Sequence, residues 1–597
     1  MKNYKIILFA FYLLSLTNCL ADNYNITLQL DSRNYTDSID KVEVFGNQKP
    51  LSWDKGIVLQ DPDGDGIYSV DLNIKSSKSY MRLKFAINGE LELKNSDRRF
   101  IKLTTGKTHL FMFNEHEKFS RQEIKELTYT EAQIEEDIAV LQRTLTHIHP
   151  NIYKFRDSTQ LYEDFRVLEQ SIKSNPNVMH AFGEVSKTVN RIQCSHTFTS
   201  PWNQGSTIDK ALIYQDDKLP LSFTRIGKRL FVDKHATSNS ELKKGLEITK
   251  IEGVATDDIL TTLADYVSSD GSNYAKKLER LTITGDAKYE LFDLFYPIAY
   301  GSKDTFELEL LDLEKENTIT IKVSSMSATK RNRIISNRYP SSIDPISPWS
   351  FEMLNDDVAK LHLSTFALFN NDFNWKNYID GTIENINNNE VPILILDIRG
   401  NEGGETEIVK YILERVISEP IHIQGTETSV RYLTIPEDIK KHISTWDDFP
   451  YDFSKKYSKI KDGKYYLKSK YGLPAQTINP KKNGYKGQVY LITDASNSSA
   501  THLMAMYSKR AKNIILVGQE TGGNVLGTNG GYMFFLRLPN SKIEIDIPVL
   551  GQYTMQDNEP RDGGVLPDIQ VERKPKEFNI VDDFELQAII DHIGQKK

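Results

Sequence analysis

The segment 391–404 constrains this chain more than any other. Residues 393–396 form an unbroken apolar run, Ile-Leu-Ile-Leu, which ends in Asp397, Arg399, Gly400, Asn401 and the pair Gly403, Gly404, then enters a helical pattern over 405–417. A short apolar run that breaks into glycines and then takes up a helical period predicts a buried strand, a tight turn and a helix. Glycine lets backbone N–H groups turn toward an anion, and the dipole of a helix N-terminus favours negative charge there. Such a turn suits a developing oxyanion.

A second unit of the same kind follows over 488–518. Residues 488–493 predict a strand, 494–500 a polar turn carrying Ser496, Ser498 and Ser499, 501–510 a helix and 513–518 another strand. This is a βαβ unit with serines at its strand-to-helix turn, where a hydroxyl is exposed and the dipole stabilises negative charge.

Four motifs in order carry a resemblance: Asp397-Ile-Arg-Gly-Asn-Glu-Gly-Gly404, Asn497-Ser-Ser-Ala-Thr-His502, Gly518-Gln-Glu-Thr-Gly-Gly523 and Gly564-Val-Leu-Pro-Asp568. Together they resemble the tail-specific (C-terminal processing) serine peptidases, whose catalytic domain has a ClpP/crotonase-like fold. The expected organisation is a multidomain α/β chain: a signal segment at 1–21, a β-sandwich module at 22–117, and, implied by the resemblance, a helical cap at 118–200, a PDZ-like domain at 210–328 and the peptidase core at 345–597 with an insertion at about 419–486.

The chain has 597 residues, 39% of them apolar and 26% charged, enough for about three or four domains with ordinary cores. A net charge of −8 gives no electrostatic footprint for nucleic acid. Lys2 and Lys5 precede an apolar run at 6–16 that is too short to span a bilayer, which reads as an export signal into the cell envelope or beyond. Two processing points compete, after Ala21 or before Cys19, where the lipobox-like sequence would give a membrane lipid anchor. In either case Cys194 has no disulfide partner.

Short alternating runs between 23 and 117 predict a small β-sandwich. Gly46, Asn47, Trp53 and the stretch 59–68 make it similar to immunoglobulin-like starch- or glycogen-binding modules. Asp61, Asp63 and Asp65, interleaved with Gly64 and Gly66, offer carboxylates for a structural calcium, and a polar hairpin without metal is the competing reading. No cofactor is required by the chemistry. From 121 to 191 the period is helical: Ile134, Ile138, Leu141 and Leu145 share one face, and His149-Pro150 ends that helix. Further helices are expected at 158–174 and 178–189. The pattern around 245–253 resembles a PDZ hairpin interrupted by a helical insertion at 257–281, and 330–349 reads as a linker.

The resemblance places the nucleophile on Ser499, with Ser498 the near alternative and Ser496 behind it. The bacterial branch has a general-base lysine where this chain has Asn524. That departure directs the reading to the tricorn-core-like branch, in which His196, just after the last cap helix, is the base. The amides of Gly403 or Gly404 and of Ala500 would bind the oxyanion. An acid should orient the histidine; Arg561 stands at the family's glutamate position, so Glu559 or Asp562 must substitute. Glu520 and His502 read as structural, and Cys194 alone falls short of a zinc site. The implied activity is hydrolysis of peptide or protein tails. The alternative is an inactive relative that binds a peptide or apolar ligand.

Overall fold

The computed structural model describes residues 22–596, apart from 36, 94–97, 341–346, 370, 447, 473–474, 555–560 and 578–582. The expected export segment with Cys19 and the candidate acid Glu559 lie outside the described residues. Within them, no helix is long and apolar enough to cross a membrane. The chain divides into two compact units, 1–117 and 118–597.

In the first unit, Asp22–Asp31 pairs antiparallel with Ile67–Ser76 and parallel with Lys107–Met112. A second sheet is built on Val42–Gly46 and Tyr80–Ile87. Alternate residues of both sheets, including Leu28, Leu30, Val44, Ile74, Leu83 and Phe85, meet in one core, as period-2 strands require. Inside it, Arg99 donates Nε and Nη2 to Glu92 at 2.8 and 2.5 Å, and Glu92 also accepts the Phe85 amide. Both side chains are buried. Asp61 accepts the amides of Gly64 and Gly66, and Asp65 accepts that of Ile67. Amide capping thus holds the acidic turn.

In the second unit, helices Glu131–Ile148, Ser158–Ser174 and Val178–Asn190 pack on one another. Thr130 and Asp157 close capping boxes with Gln133 and Gln160. A sheet ordered by Asn317–Ser324, Thr305–Asp312, Glu247–Ile251, Arg229–His235 and Leu221–Ile226 follows. The segment expected as one helical insertion forms two short helices, Thr256–Ala264 and Tyr274–Arg280. The expected linker begins with a helix, Ala328–Arg338, N-capped by Ser327.

The core that positions the site is a six-stranded sheet in the order Trp349–Asn355, Val358–Leu363, Ile393–Asp397, Gln488–Thr493, Ile514–Gly518 and Ile569–Gln570. Its first pair is antiparallel and the rest parallel. Leu394, Leu396 and Leu491 pack with Ile383, Ile408 and Met504 of the helices on one face. Ile393, Ile395, Tyr490 and Ile492 meet Ile589 of the C-terminal helix on the other. Burial on both faces explains the unbroken apolar runs. The expected insertion at about 419–486 contributes Thr426–Val430, Ile443–Ser444, Tyr457–Lys461 and Lys464–Leu467 to another six-stranded sheet with Thr528–Arg537 and Glu544–Thr554.

Removing one member of a buried ion pair leaves an uncompensated charge, at a cost of about 3–5 kcal/mol. Glu92→Ala is therefore expected to lower the unfolding free energy of the 1–117 unit by that amount, read by calorimetry. A loss below about 1 kcal/mol, in the range of exposed pairs, would show that Arg99 finds other compensation.

Candidate active site

The two strand–turn–helix corners are bonded to each other. Asn497 Nδ2 donates to the carbonyls of Ile398 at 2.5 Å and Asn401 at 3.1 Å, and Thr501 Oγ1 donates to Asn401 at 2.9 Å. Asn401 in turn donates to the Leu363 carbonyl and accepts the Gly403 amide. The first corner is braced from behind by Arg399, which forks onto Asp397 and reaches Asp583 and Glu585.

These bonds sort the three serines. Ser496 Oγ donates to Asp494, and Ser498 Oγ donates to the Glu402 carbonyl at 3.1 Å. Ser499 has no hydrogen-bond partner for its hydroxyl among the described residues, is half-exposed and opens helix Ser499–Ser508. Its φ is +51°. A non-glycine residue held there stores about 1–3 kcal/mol of strain, which the surrounding bonds must sustain. The arrangement is that of a nucleophile elbow.

The glycine turn lies directly against this corner. A Cβ on Gly403 would fall 2.7 Å from the Ser498 carbonyl oxygen, 2.9 Å from the Ala500 nitrogen and 3.0 Å from Ser499 Cβ. The Gly403 amide is taken by Asn401 Oδ1 at 2.9 Å. The amides of Gly404 and Ala500 find no acceptor among the described residues, so of the two glycines it is Gly404 whose donor is available.

His196 is half-buried, and its surroundings were only partly legible in the sequence. Ser195 Oγ lies 3.2 Å from His196 Nδ1 and 2.7 Å from Asp270 Oδ2. Asp270 is buried and also accepts the Ser195 amide and Thr528 Oγ1. A hydroxyl has one proton; given to Asp270, it leaves Ser195 Oγ to accept from His196 Nδ1–H. That fixes the tautomer in which Nε2 carries the free lone pair. Burial lowers the His196 pKa and the Asp270 charge opposes that shift, with Arg280 and Lys276 pressing it down again.

Lys276 ties the parts together. Its buried ammonium donates to Ser496 O at 2.6 Å and Glu402 Oε1 at 2.7 Å, and both Lys276 and Glu402 act electrostatically on His196. Lys276 and Arg280 push the Glu402 carboxyl down to about 2. Since 60% of the Glu402 side chain is exposed, solvent and salt weaken that effect.

The remaining candidates are engaged elsewhere. Asp562 accepts from Asn524 Nδ2 at 2.6 Å and from the Ser272 amide, and makes no bond to His196. Asn524, at the position of the lysine, is buried and serves this contact. Arg561 pairs with Glu520, which also accepts the Gly564 amide. His502 is buried with Nδ1 2.8 Å from Thr521 Oγ1. Cys194 is buried and its thiol is pushed up to about 12 by burial and the Asp270 charge, so it is no thiolate. Asp61, Asp63 and Asp65 offer oxygens within 4.8 Å of one another in the first unit. Sequence reasoning missed Ser195, Asp270, Lys276 and Glu402. Ser195, adjacent to His196, and Glu402, inside the glycine-turn motif, carried local signals.

A strained serine at a helix start, free amides beside it and an imidazole of defined tautomer describe a serine-type hydrolase on an α/β core. Residues 357–571 match the model of peptidase family S41. The chain carries a domain of that family, the tail-specific class of serine peptidases. Among solved structures, mature CPAF complexed with lactacystin is 13% identical, with 78% of this chain and 98% of that chain covered and a TM-score of 0.51. Mature CPAF alone gives 13%, 78%, 96% and 0.50. At that identity the likeness shows the fold. No curated protein matches the chain.

Gly403→Ala puts a Cβ into the Ser498–Ala500 backbone at a φ of +105°. It is expected to reduce modification of the serine by an active-site phosphonate at least about a hundredfold, the scale of losing an oxyanion donor, while circular dichroism stays native. An unchanged rate would mean that this turn does not shape the site.

Proposed function

We propose that the chain is an exported serine endopeptidase that cleaves peptide bonds through an acyl-enzyme on Ser499, with His196 as general base. The observation that carries this reading is the untied Ser499 hydroxyl in a strained turn, beside the available amides of Gly404 and Ala500. Ser499 Oγ attacks the scissile carbonyl carbon as its proton passes to His196 Nε2. The two amides receive the oxyanion, each worth about 3 kcal/mol in acyl transfer. His196 then protonates the leaving amine, and water repeats the sequence to release the acid. Asp270 acts through Ser195 as the positioning group that the resemblance sought at Glu559 or Asp562.

The same proposal reads the helices over 121–190 as a cap, the sheet between Leu221 and Ser324 as PDZ-like and the first unit as immunoglobulin-like, with calcium at Asp61, Asp63 and Asp65. Export rests on the pattern of Lys2, Lys5 and the apolar run 6–16. A second reading, an inactive relative that binds a peptide or apolar ligand, is favoured by Asn524 at the lysine position and by the Glu520–Arg561 pair.

A fluorophosphonate should add one adduct to the wild type, seen by intact-mass spectrometry, and none to Ser499→Ala or His196→Ala. No adduct on folded wild-type protein would sink the peptidase reading and leave the binding one. Because the base must be neutral and burial lowers its pKa, the acid limb of kcat/KM should lie below the ordinary imidazole value of 6.5. Asp270→Asn removes a charge that raises that pKa, so the limb should move further to acid, with kcat falling more than KM changes. A limb unmoved by this substitution would contradict the role given to Asp270.

A further inference from the structure

Beside the candidate site the protein brings several cations close together. Val430 pairs with Tyr465 across the antiparallel strands Thr426–Val430 and Lys464–Leu467. Arg431 follows the one and Lys464 precedes the other, so two cations come next in the same register. Like charges placed opposite each other across a strand pair are destabilising. Neither meets a carboxylate at ion-pair distance among the described residues. The Arg431 guanidinium lies 4.9 Å from the centre of the Tyr153 ring, and Lys464 Nζ donates to Asn151 Oδ1.

Both cations are half-buried, and each has its pKa lowered, Lys464 by burial and then by Arg431 against the pull of Asp462, Arg431 by burial. Lys154 adds a third positive charge; burial brings its ammonium down to about 8 against the pull of Asp270 and Asp562. His149 sits fully buried among them, held neutral by burial and by Arg431 and Lys464, with Nε2 lacking a hydrogen-bond partner.

Three successive residues connect the cluster to the catalytic candidates. Thr528 donates to Asp270 at 3.3 Å, Asn529 accepts from Asn151 Nδ2 at 2.7 Å and donates to Cys194 Sγ at 3.5 Å, and a Cβ on Gly530 would lie 4.0 Å from His196 Cε1. The cations therefore stand one short strand segment away from the imidazole.

We propose that Arg431 and Lys464, with Lys154, form a subsite for a carboxylate of the peptide substrate, so that the protein selects acidic segments. This rests on the peptidase reading, and the experiment is chosen to separate the two. The full-length Ser499→Ala protein is titrated, by fluorescence anisotropy, with labelled peptide libraries of degenerate neutral sequence carrying either Glu or Gln at the same positions. Each library is made with a free and with an amidated C-terminus. Binding to this variant does not depend on turnover, so it reads the subsite even if the fluorophosphonate test fails.

The Glu library is expected to bind about tenfold tighter than the Gln library, with the advantage shrinking as salt is raised. Persistence of the advantage in amidated peptides assigns the carboxylate to a side chain. An advantage for free over amidated Gln peptides assigns it to the chain terminus. Combining Arg431→Gln with Lys464→Gln should abolish the preference, whereas combining Arg431→Lys with Lys464→Arg should retain it; thermal unfolding checks that both fold. Equal binding of all four libraries, or a preference that survives the paired Gln substitutions, overturns the proposal.

Discussion

The buried amide of Asn497 is the interaction on which the site depends. It is fully shielded and spends both Nδ2 protons on the carbonyls of Ile398 and Asn401, so the two strand–turn–helix corners cannot separate without orphaning backbone acceptors in the interior. An unsatisfied group of that kind costs about 1–3 kcal/mol. Thr501 and Ser498 add bonds across the same seam. The result is a rigid frame in which Gly403 can lie against the Ser499 corner and Ser499 can be kept at a left-handed φ. Strain at one residue is tolerable because the corner is over-determined by its neighbours.

The histidine belongs to a different part of the chain, and a segment with buried charges links its surroundings to the two corners. Lys276, from a short helix in the middle of the sequence, is anchored on Ser496 O and Glu402, the two corners themselves. Asp270, six residues before it, takes the Ser195 proton and so sets the imidazole tautomer. The segment 265–276 thus serves both halves of the site. Its buried charges are matched: Asp270 has hydroxyls and an amide, and Lys276 a carboxylate and a carbonyl. By contrast, Arg431 and Lys464 make no ion pair among the described residues, and Asp462 acts on Lys464 only at longer range.

The strands of the core were legible because burial on both faces writes an unbroken apolar run, as in Ile393–Asp397 and Gln488–Thr493. The helices over 131–190 were legible through their apolar period. Helix Ala328–Arg338 was read as linker because one of its two inward positions is Arg331, four residues before Ile335, and a buried arginine erases the apolar period. Its charge is matched by Asp293 at 2.7 Å, far away in sequence. At the site, Ser499, His196 and the glycine turn stood on local motifs. Asp270 and Lys276 did not, since their meaning arises only from long-range contacts. The acid was sought near 559–562 by resemblance, whereas Asp562 is bonded to Asn524 and Ser272.

The central claim is that this frame makes Ser499 the group that carries the acyl chain. The direct measurement is acid quenching during turnover of an activated ester, followed by peptide-resolved mass spectrometry. The account predicts an acyl mass on the peptide containing Ser499, assigned by fragmentation to that residue and not to Ser496 or Ser498, accumulating in step with a burst of the leaving alcohol. Ester hydrolysis without any acylated peptide, or acylation at another residue, would contradict it.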